Sequence, residues 1–194
     1  MYELYGTSRT RALRVLWLLA ELDLPFVHHA DGPRSNPVLA LNPSGKVPVL
    51  VTDGAILTDS TAIMTFLTDR HGRFSQPPGS VDRARQDGIT QMLLDEFDAL
   101  LWTAARHSFI LPAEHRLPAI KDSLRWEFGH NAARLAARLT GPFVLGDAMT
   151  LPDIILTHCL TWAIAARFDL TEPVLRDYLD RMRARPAYIR AAAM

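Results

Sequence analysis

The sequence predicts two domains, an α/β domain followed by an all-α domain, and three observations support this prediction. Strand and helix signals alternate over residues 1–74. A stretch rich in proline and glycine, residues 75–81, then interrupts the alternation and is typical of a linker. Over residues 82–194 the apolar side chains recur at helical spacing. We therefore expect an α/β unit joined by a short linker to a helical bundle.

The first domain begins with a strand in "MYELY" and a helix over residues 9–22, followed by a second strand in "LPFVHH". "NPVLALNP" predicts a short, irregular helical segment between two prolines, because proline disfavours helix in the residue before it. "VPVLV" and "AILT", joined by Asp53-Gly54, predict a hairpin, and a helix follows from Ser60 to about Arg70. The order βαβ-α-ββα has one natural compact arrangement, a four-stranded mixed sheet with helices on its faces, as in thioredoxin-like domains.

The second domain shows two long amphipathic segments and one segment that is apolar nearly all round. "MTLPDIILTHCLTWAIAARF" is the apolar one, and such a helix belongs at the centre of a bundle. Two antiparallel helices are the simplest interpretation of the other two. Their apolar faces consist of Ile89, Met92, Leu93, Phe97, Leu100 and Leu101 in one segment and of Ile120, Leu124, Phe128, Leu135 and Leu139 in the other.

Charge and cysteine content exclude several classes of function. Lys plus Arg and Asp plus Glu number 21 each, so no net field favours nucleic acid or an anionic membrane. No apolar run reaches the roughly 18 residues of a membrane span, and the N-terminus lacks a leader pattern. The single Cys159 excludes an internal disulfide, a CxxC redox pair and a cysteine-based zinc site. We expect a cytoplasmic globular protein that binds neither nucleic acid nor membrane.

Histidine spacing gives no indication of a metal site. His28 and His29 have no acidic partner at metal-ligand spacing, and His107, His115 and His130 are scattered over helical segments. The sequence therefore predicts no metal.

The stretch "NPSGKVPVLVTDGAILTDST", residues 42–61, carries the clearest chemistry. A cis bond between Val47 and Pro48 would turn the Val47 amide and carbonyl outward, where an extended peptide-like ligand can pair with them. Ser60 lies where the amides of a helix N-terminus can bind an anion, and Asp59 beside it can accept from an ammonium group. Together they suit the head group of an α-amino acid, whereas the alternative is that Asp59 or Ser60 only caps the helix.

"NPSGKVPVL", followed by an acidic residue and serine at the third helix of this order, resembles the glutathione S-transferase family over essentially the whole chain. The resemblance implies that Val47 and Pro48 pair with the cysteinyl part of glutathione and that Asp59 and Ser60 hold its γ-glutamyl end. It places Lys46 near the glycyl end. It also implies glutathione as co-substrate and a homodimer in which Asp95 or Asp98 reaches the ligand of the neighbouring subunit.

"GDAMTLPDI" matches the folding motif of that family in the helical domain. Thr150 as N-cap and Asp153 three residues later form a capping box, and Pro152 lies in the first turn where its missing donor costs little. We interpret Thr150 and Asp153 as structural. Losing either is expected to destabilise the fold by roughly 1 kcal/mol.

Conjugation needs the thiolate of glutathione, and a hydroxyl aimed at sulfur lowers the thiol pKa by stabilising the anion. Family members use Tyr, Ser or Cys after the first strand or at the start of the first helix. Here that window holds Thr7, Ser8, Arg9 and Thr10, and the candidates are Ser8 and Thr10. Tyr5 is expected to pack within the sheet. The absence of Cys in this window argues against glutaredoxin-like and cysteine-type dehydroascorbate reductase activity.

The second substrate is expected between the domains, against apolar side chains of the long helices. Trp102, His107, Phe109 and Trp162 are candidates for this wall, with packing in the core as the alternative. The resulting prediction is a glutathione S-transferase that adds the thiolate to a small apolar electrophile. The alternatives are a transferase-fold binding or regulatory protein with weak or no activity, and a glutathione-dependent isomerase or peroxidase.

Overall fold

The computed structural model describes residues 1–194 and divides them into two compact units. Unit 1 comprises Met1–Pro78 together with Met182–Met194, and unit 2 comprises Gly79–Arg181. At the C-terminus, this division differs from the domain boundaries that the sequence predicts. The sequence pattern places residues 182–194 in the helical domain, but they cluster with the α/β unit because their last helix packs on the first helix of the chain.

Unit 1 contains the four-stranded mixed sheet that the sequence predicts, which confirms the fold class. The strand order is β2-β1-β3-β4, with β1 parallel to β2 and antiparallel to β3, and with β3 antiparallel to β4. Its elements are β1 (Tyr2–Tyr5), α1 (Ala12–Glu21), β2 (Phe26–His29), α2 (Asn36–Leu41), β3 (Val49–Thr52), β4 (Ala55–Thr58), α3 (Ser60–His71) and, at the end of the chain, α9 (Pro186–Ala192).

The β3–β4 turn follows directly from its sequence. Asp53 and Gly54 both have positive φ, 51° and 75°, as the two central residues of a type I′ hairpin turn require. The Asp53 carboxylate also forms an ion pair with Arg70 of α3.

Gly6 brings three parts of unit 1 close together. Its φ is +135°, and a Cβ at this position would lie 2.7 Å from the Cβ of Ala12 and 3.1 Å from the Cβ of Val47. Only glycine allows this backbone conformation and this approach. The end of β1, the start of α1 and the turn at Val47 therefore meet at one point.

Helix α9 docks on α1 through a partly buried ion pair and an aromatic contact. Arg185, just before α9, donates to both carboxylate oxygens of Glu21, at 2.7 and 2.9 Å, and Trp17 donates its indole N–H to the same carboxylate at 2.8 Å. The rings of Trp17 and Tyr188 meet edge to face at 5.0 Å. Burial alone would raise the pKa of Glu21, but the hydrogen bonds from Arg185 and Trp17 outweigh it and lower that pKa below its ordinary value.

This ion pair is expected to make stability depend on acid pH. Because the pKa of Glu21 is lower in the folded state, the pair stabilises above the unfolded-state value of 4.5 and is lost as pH falls through the folded value. We expect Glu21→Gln to lower the unfolding free energy at neutral pH by about 1.5–3 kcal/mol, and the difference from wild type to shrink as the pH falls below 4.5. Urea unfolding at several pH values measures this.

Asp82→Asn is the matched control, because Asp82 pairs with Arg85 at a site where both side chains are more than half exposed. An exposed pair of this kind contributes about 0–1 kcal/mol. A Glu21→Gln effect no larger than that of Asp82→Asn would contradict the proposed role of the pair.

Unit 2 is helical, as the sequence predicts, but its first long segment is not one regular helix. Two π-helical turns, Leu94–Asp98 and Arg106–Ile110, flank α5 (Ala99–Ala105). Phe128 is fully buried and packs edge to face with Phe97 at 5.5 Å and with Phe168 at 5.4 Å. No helix of the structure combines the length and the apolar character needed to cross a bilayer. The remaining helices are α4 (Val81–Leu93), a 3₁₀ turn (Ala113–His115), α6 (Ile120–Arg138), α7 (Leu151–Ala165) and α8 (Pro173–Arg183).

Candidate functional site

The turn before β3 presents an unpaired backbone amide and carbonyl. The bond between Val47 and Pro48 is cis, and neither the N–H nor the C=O of Val47 forms a hydrogen bond within the protein. The Asn42 side chain shapes the preceding turn. Its Nδ2 donates to the backbone carbonyl of Lys46 at 2.9 Å, and its Oδ1 accepts from the backbone amide and the hydroxyl of Ser44. Val47 therefore offers one donor and one acceptor, the pair that an extended peptide needs for strand-like pairing.

Asp59 caps α3 and keeps one carboxylate oxygen for another partner. Its Oδ1 accepts from the amides of Thr61 at 2.8 Å and Ala62 at 3.2 Å, whereas its Oδ2 has no partner in the protein. The side chain is exposed, and the backbone has a φ of 69°, which is uncommon for a residue other than glycine. Asp59 therefore caps the helix, which is the alternative that the sequence suggests, and its Oδ2 remains able to accept from an ammonium group.

Ser60 lies beside Asp59 as the first residue of α3. Its backbone N–H has no partner, as is usual in the first helical turn, and its side chain is buried. Nη1 of Arg14 donates to the Ser60 hydroxyl oxygen at 3.4 Å. An amide, a hydroxyl and a buried guanidinium thus favour an anion next to the site where Asp59 favours a cation.

Arg14 is a residue that the sequence reasoning missed. It is 1% exposed, although it lies in α1 among apolar side chains. An arginine within the buried stripe of an amphipathic helix is the one signal that could have identified it, because a buried charge needs polar partners.

The hydroxyls of both predicted catalytic residues already donate to backbone carbonyls. Ser8 donates to the carbonyl of Met194 at 2.8 Å, and Thr10 donates to the carbonyl of Thr7 at 2.8 Å while its oxygen accepts from the Ala12 amide at 3.1 Å. The hydroxyl of Thr7, in the same loop and half-buried, has no partner in the protein. Donation to a thiolate by Ser8 or Thr10 would therefore require rotation of the hydroxyl, whereas Thr7 is unconstrained.

Tyr5 lies at the end of β1 and makes its contacts within the sheet. Its ring stacks on His29 at 4.2 Å, and its hydroxyl lies 3.4 Å from a carboxylate oxygen of Glu3. Partial burial and the charge of Glu3 raise the pKa of Tyr5. The Tyr5 side chain therefore packs on the sheet, with its hydroxyl directed at the carboxylate of Glu3. Lys46, in the turn before Val47, has an exposed side chain.

The four residues predicted for an electrophile wall all lie in unit 2, in different environments. Trp102 is half-buried in α5, and Trp162 of α7 meets the ring of His158 edge to face at 6.0 Å. His107 accepts from the amide of Leu117 at 3.1 Å through Nδ1, and Phe109 is 67% exposed. His107 and Phe109 lie two residues apart in one π-helical turn, a spacing at which helical side chains do not face each other.

Thr150 and Asp153 form a reciprocal capping box at the start of α7. Asp153 is fully buried, and its carboxylate accepts from the Thr150 amide and hydroxyl, from the Val144 amide and from the hydroxyl of Tyr178. Burial raises the pKa of Asp153 despite these four donors, and burial also raises the pKa of Tyr178 well above its usual value. Tyr178 therefore keeps its proton and can donate.

Asp98 does not fit the predicted role of reaching a neighbouring subunit. Its side chain is buried, and its Oδ2 lies 4.0 Å from Sγ of Cys159 inside unit 2. Asp95, three residues earlier, is exposed. Asp98 lies three residues before Leu101 and seven before Ala105, which are both buried, so helical spacing places it on the interior face.

Comparison with known proteins agrees with this architecture. Residues 10–70 match the family model of the glutathione S-transferase N-terminal domain. The chain is 39% identical to hematopoietic prostaglandin D synthase of Rattus norvegicus over 191 residues, which is 95% of this chain and 90% of the relative. It is 29% identical to maleylacetoacetate isomerase of Pseudomonas aeruginosa over 208 residues, covering 98% and 94% of the two chains.

Solved structures show the same fold. The glutathione transferase of Methylococcus capsulatus superposes with a TM-score of 0.85 at 25% identity over 100% of this chain and 98% of that one. The bacterial transferase BphK superposes with a TM-score of 0.88 at 24% identity over 98% of each chain. The sheet order, the unpaired Val47 backbone, the Asp59-Ser60 helix start and these matches lead to one conclusion: the chain belongs to the glutathione S-transferase family of enzymes.

Proposed function

We propose that this protein is a glutathione S-transferase that activates the thiol of glutathione for attack on small apolar electrophiles. One observation carries the proposal: the start of α3 offers Asp59 Oδ2 to a cation and the Ser60 amide to an anion, side by side. The γ-glutamyl end of glutathione carries an ammonium and a carboxylate on one carbon and matches this pair. The unpaired amide and carbonyl of Val47 would then pair with the cysteinyl residue.

Relatives support the choice of ligand. A Phanerochaete chrysosporium glutathione transferase of this fold was solved with oxidized glutathione, and a Pseudomonas fluorescens family member was solved with two glutathione molecules bound. The proposal includes Lys46 near the glycyl end, Trp102, His107, Phe109 and Trp162 along the electrophile, and a homodimer in the cytoplasm as the working state.

The chemical step that we propose is a nucleophilic substitution or addition at carbon. With an aryl halide, the sulfur–carbon bond forms, the halide leaves with its bonding electrons, and the thiol proton passes to solvent. A free thiol is only a few per cent ionised at neutral pH, so a hydroxyl that donates to sulfur raises the reactive fraction. The hydroxyls available at the start of α1 are those of Thr7, Ser8 and Thr10.

Three variants, Thr7→Val, Ser8→Ala and Thr10→Val, identify that hydroxyl. We expect wild type to bind glutathione saturably in calorimetry, to raise its thiolate absorbance near neutral pH and to conjugate a generic aryl halide. The variant that lacks the activating hydroxyl is expected to lose about 10²-fold or more in turnover while it still binds glutathione. S-methylglutathione, which has no thiol, is the control ligand, since equal affinity for it in all variants shows an intact site.

The competing function of a binding or regulatory protein predicts a different result. Wild type would then bind glutathione without conjugating the halide and without a lowered thiol pKa. Absence of glutathione binding in wild type would overturn both functions and leave residues 42–61 with a structural role only.

Glutathione-dependent isomerisation is the second candidate, and the similarity to maleylacetoacetate isomerase over 98% of the chain favours it. In such a reaction the thiolate adds to the substrate and leaves again, so glutathione is not consumed. Turnover of a cis-dicarbonyl alkene to its trans isomer at constant glutathione concentration would support isomerisation. Stoichiometric loss of the thiol would support conjugation, and a peroxidase would instead accumulate oxidized glutathione.

A further inference from the structure

Three metal-ligating side chains of different chemistry meet inside unit 2, apart from the proposed glutathione site. They are Asp98, at the end of the first π-helical turn, and His158 and Cys159, which are consecutive residues of α7. One ligand atom from each lies within 4.8 Å of the other two. Sγ of Cys159 and Oδ2 of Asp98 are 4.0 Å apart.

The distance between Sγ of Cys159 and Oδ2 of Asp98 is close to the distance between two ligand atoms of a single metal ion. Zinc binds sulfur at about 2.3 Å and nitrogen or oxygen at about 2.0–2.2 Å, so ligand atoms at a tetrahedral ion lie about 3.5 Å apart. Contracting the Cys159–Asp98 pair from 4.0 Å to this value needs only a small side-chain movement. Borderline ions such as Zn²⁺ and Co²⁺ accept thiolate, imidazole and carboxylate together, whereas Mg²⁺ and Ca²⁺ prefer oxygen alone.

Charge and burial also suit a divalent ion. A thiolate from Cys159 and the carboxylate of Asp98 supply two negative charges that a divalent cation neutralises, with His158 as a neutral third ligand. Asp98 and Cys159 are buried, whereas His158 is half-buried and partly accessible to solvent. Asp98 lies in a π-helical turn, and such turns often mark functional sites in helices.

We propose that Asp98, His158 and Cys159 form a binding site for a borderline divalent metal of the Zn²⁺ type. As the metal–sulfur bond forms, the thiol of Cys159 releases its proton to solvent. Three protein ligands leave one position of a tetrahedral ion for water. This site departs from the absence of a metal predicted from sequence. That prediction rested on sequence spacing and could not show that residue 98 meets residues 158 and 159 in space.

The competing interpretation is a packed core in which the thiol of Cys159 donates a weak hydrogen bond to Asp98. Cobalt titration of the full-length protein, after removal of bound metal with a chelator, separates the two. Cobalt bound by a thiolate shows an intense near-ultraviolet charge-transfer band, which a hydrogen-bonded thiol does not produce. The ring of Trp162, 6.0 Å from that of His158, gives a second signal, because a paramagnetic ion quenches indole fluorescence.

We expect wild type to develop the band with one Co²⁺ per chain and to lose it on addition of Zn²⁺. Cys159→Ser is expected to abolish the band, and Asp98→Asn and His158→Gln to weaken Co²⁺ binding by at least about tenfold. His130→Gln is the matched control. The His130 ring also packs against a tryptophan, Trp126, at 4.1 Å, but His130 does not belong to the group of potential metal ligands.

Folded wild type that shows no band, or a band that persists in Cys159→Ser, would overturn the proposal. Equal weakening in His130→Gln and His158→Gln would also overturn it, because it would indicate nonspecific histidine binding. His158→Gln keeps the test decisive if substitution of the buried Cys159 prevents folding, since His158 is half-buried and tolerates change better. None of these readouts depends on transferase activity.

Discussion

Replacement of Asp153 by alanine is expected to lower the free energy of unfolding by about 3–5 kcal/mol. The carboxylate is fully buried and accepts four hydrogen bonds, from the amides of Thr150 and Val144 and from the hydroxyls of Thr150 and Tyr178. Each buried donor left without an acceptor costs about 1–3 kcal/mol. Since several lose their acceptor together, the loss exceeds that of an ordinary helix cap.

Urea unfolding followed by circular dichroism measures this effect, and two milder variants calibrate it. Thr150→Ala removes the capping hydroxyl and is expected to cost about 1 kcal/mol. Tyr178→Phe removes a single donor to the same carboxylate and is expected to cost about 0.5–1.5 kcal/mol. If Asp153→Ala were no worse than Tyr178→Phe, the carboxylate would not be the centre of this network.

The sequence predicted the capping box but underestimated Asp153, and the reason is the range of the contacts. Thr150 and Asp153 are three residues apart, so their pairing is visible in a local motif. Tyr178 lies 25 residues further along the chain, and no local sequence pattern predicts that its hydroxyl donates to Asp153. The structure therefore raises the expected cost of losing Asp153 from about 1 kcal/mol to several.

The same distinction separates the predictable parts of the fold from the rest. The hairpin at Asp53-Gly54 follows from two adjacent residues that tolerate positive φ. The docking of α9 on α1 depends on Glu21 and Arg185, which are 164 residues apart, so no local pattern in the sequence could show that the C-terminal segment packs with unit 1. The π-helical turn at residues 94–98 was also missed, because its apolar spacing still resembles that of an α-helix.

At the candidate site, residues with a strong local signature were identified and residues defined by tertiary contacts were not. The motif around Val47 and the Asp59-Ser60 pair stand out in the sequence because they need a particular turn and a helix start. The buried position of Arg14 beneath Ser60 depends on how α1 packs on α3. The partners of Ser8 and Thr10 depend on hydroxyl rotation and on loop geometry, which residue identity does not specify.

Asp59→Asn is expected to weaken glutathione binding by about 10–100-fold with almost no change in stability. Asparagine keeps an oxygen that can accept from the amides of Thr61 and Ala62, and it tolerates the φ of 69°. The substitution removes the negative charge that would face the ammonium group of the γ-glutamyl residue. Calorimetry gives the affinity, and urea unfolding is expected to differ from wild type by less than about 0.5 kcal/mol.

Two controls test whether loss of the Asp59 charge alone explains the loss of glutathione affinity. Asp53→Asn changes an exposed aspartate of the same unit that also has positive φ, and it is expected to leave glutathione affinity unchanged. On the ligand side, glutathione without its amino group removes the ammonium instead of the carboxylate. Wild type should lose affinity for this analogue, whereas Asp59→Asn should bind it about as well as glutathione, because each change removes the same interaction. Additive losses from the two changes would mean that Asp59 acts on the ligand only through the cap of α3, and the γ-glutamyl ammonium would then bind elsewhere.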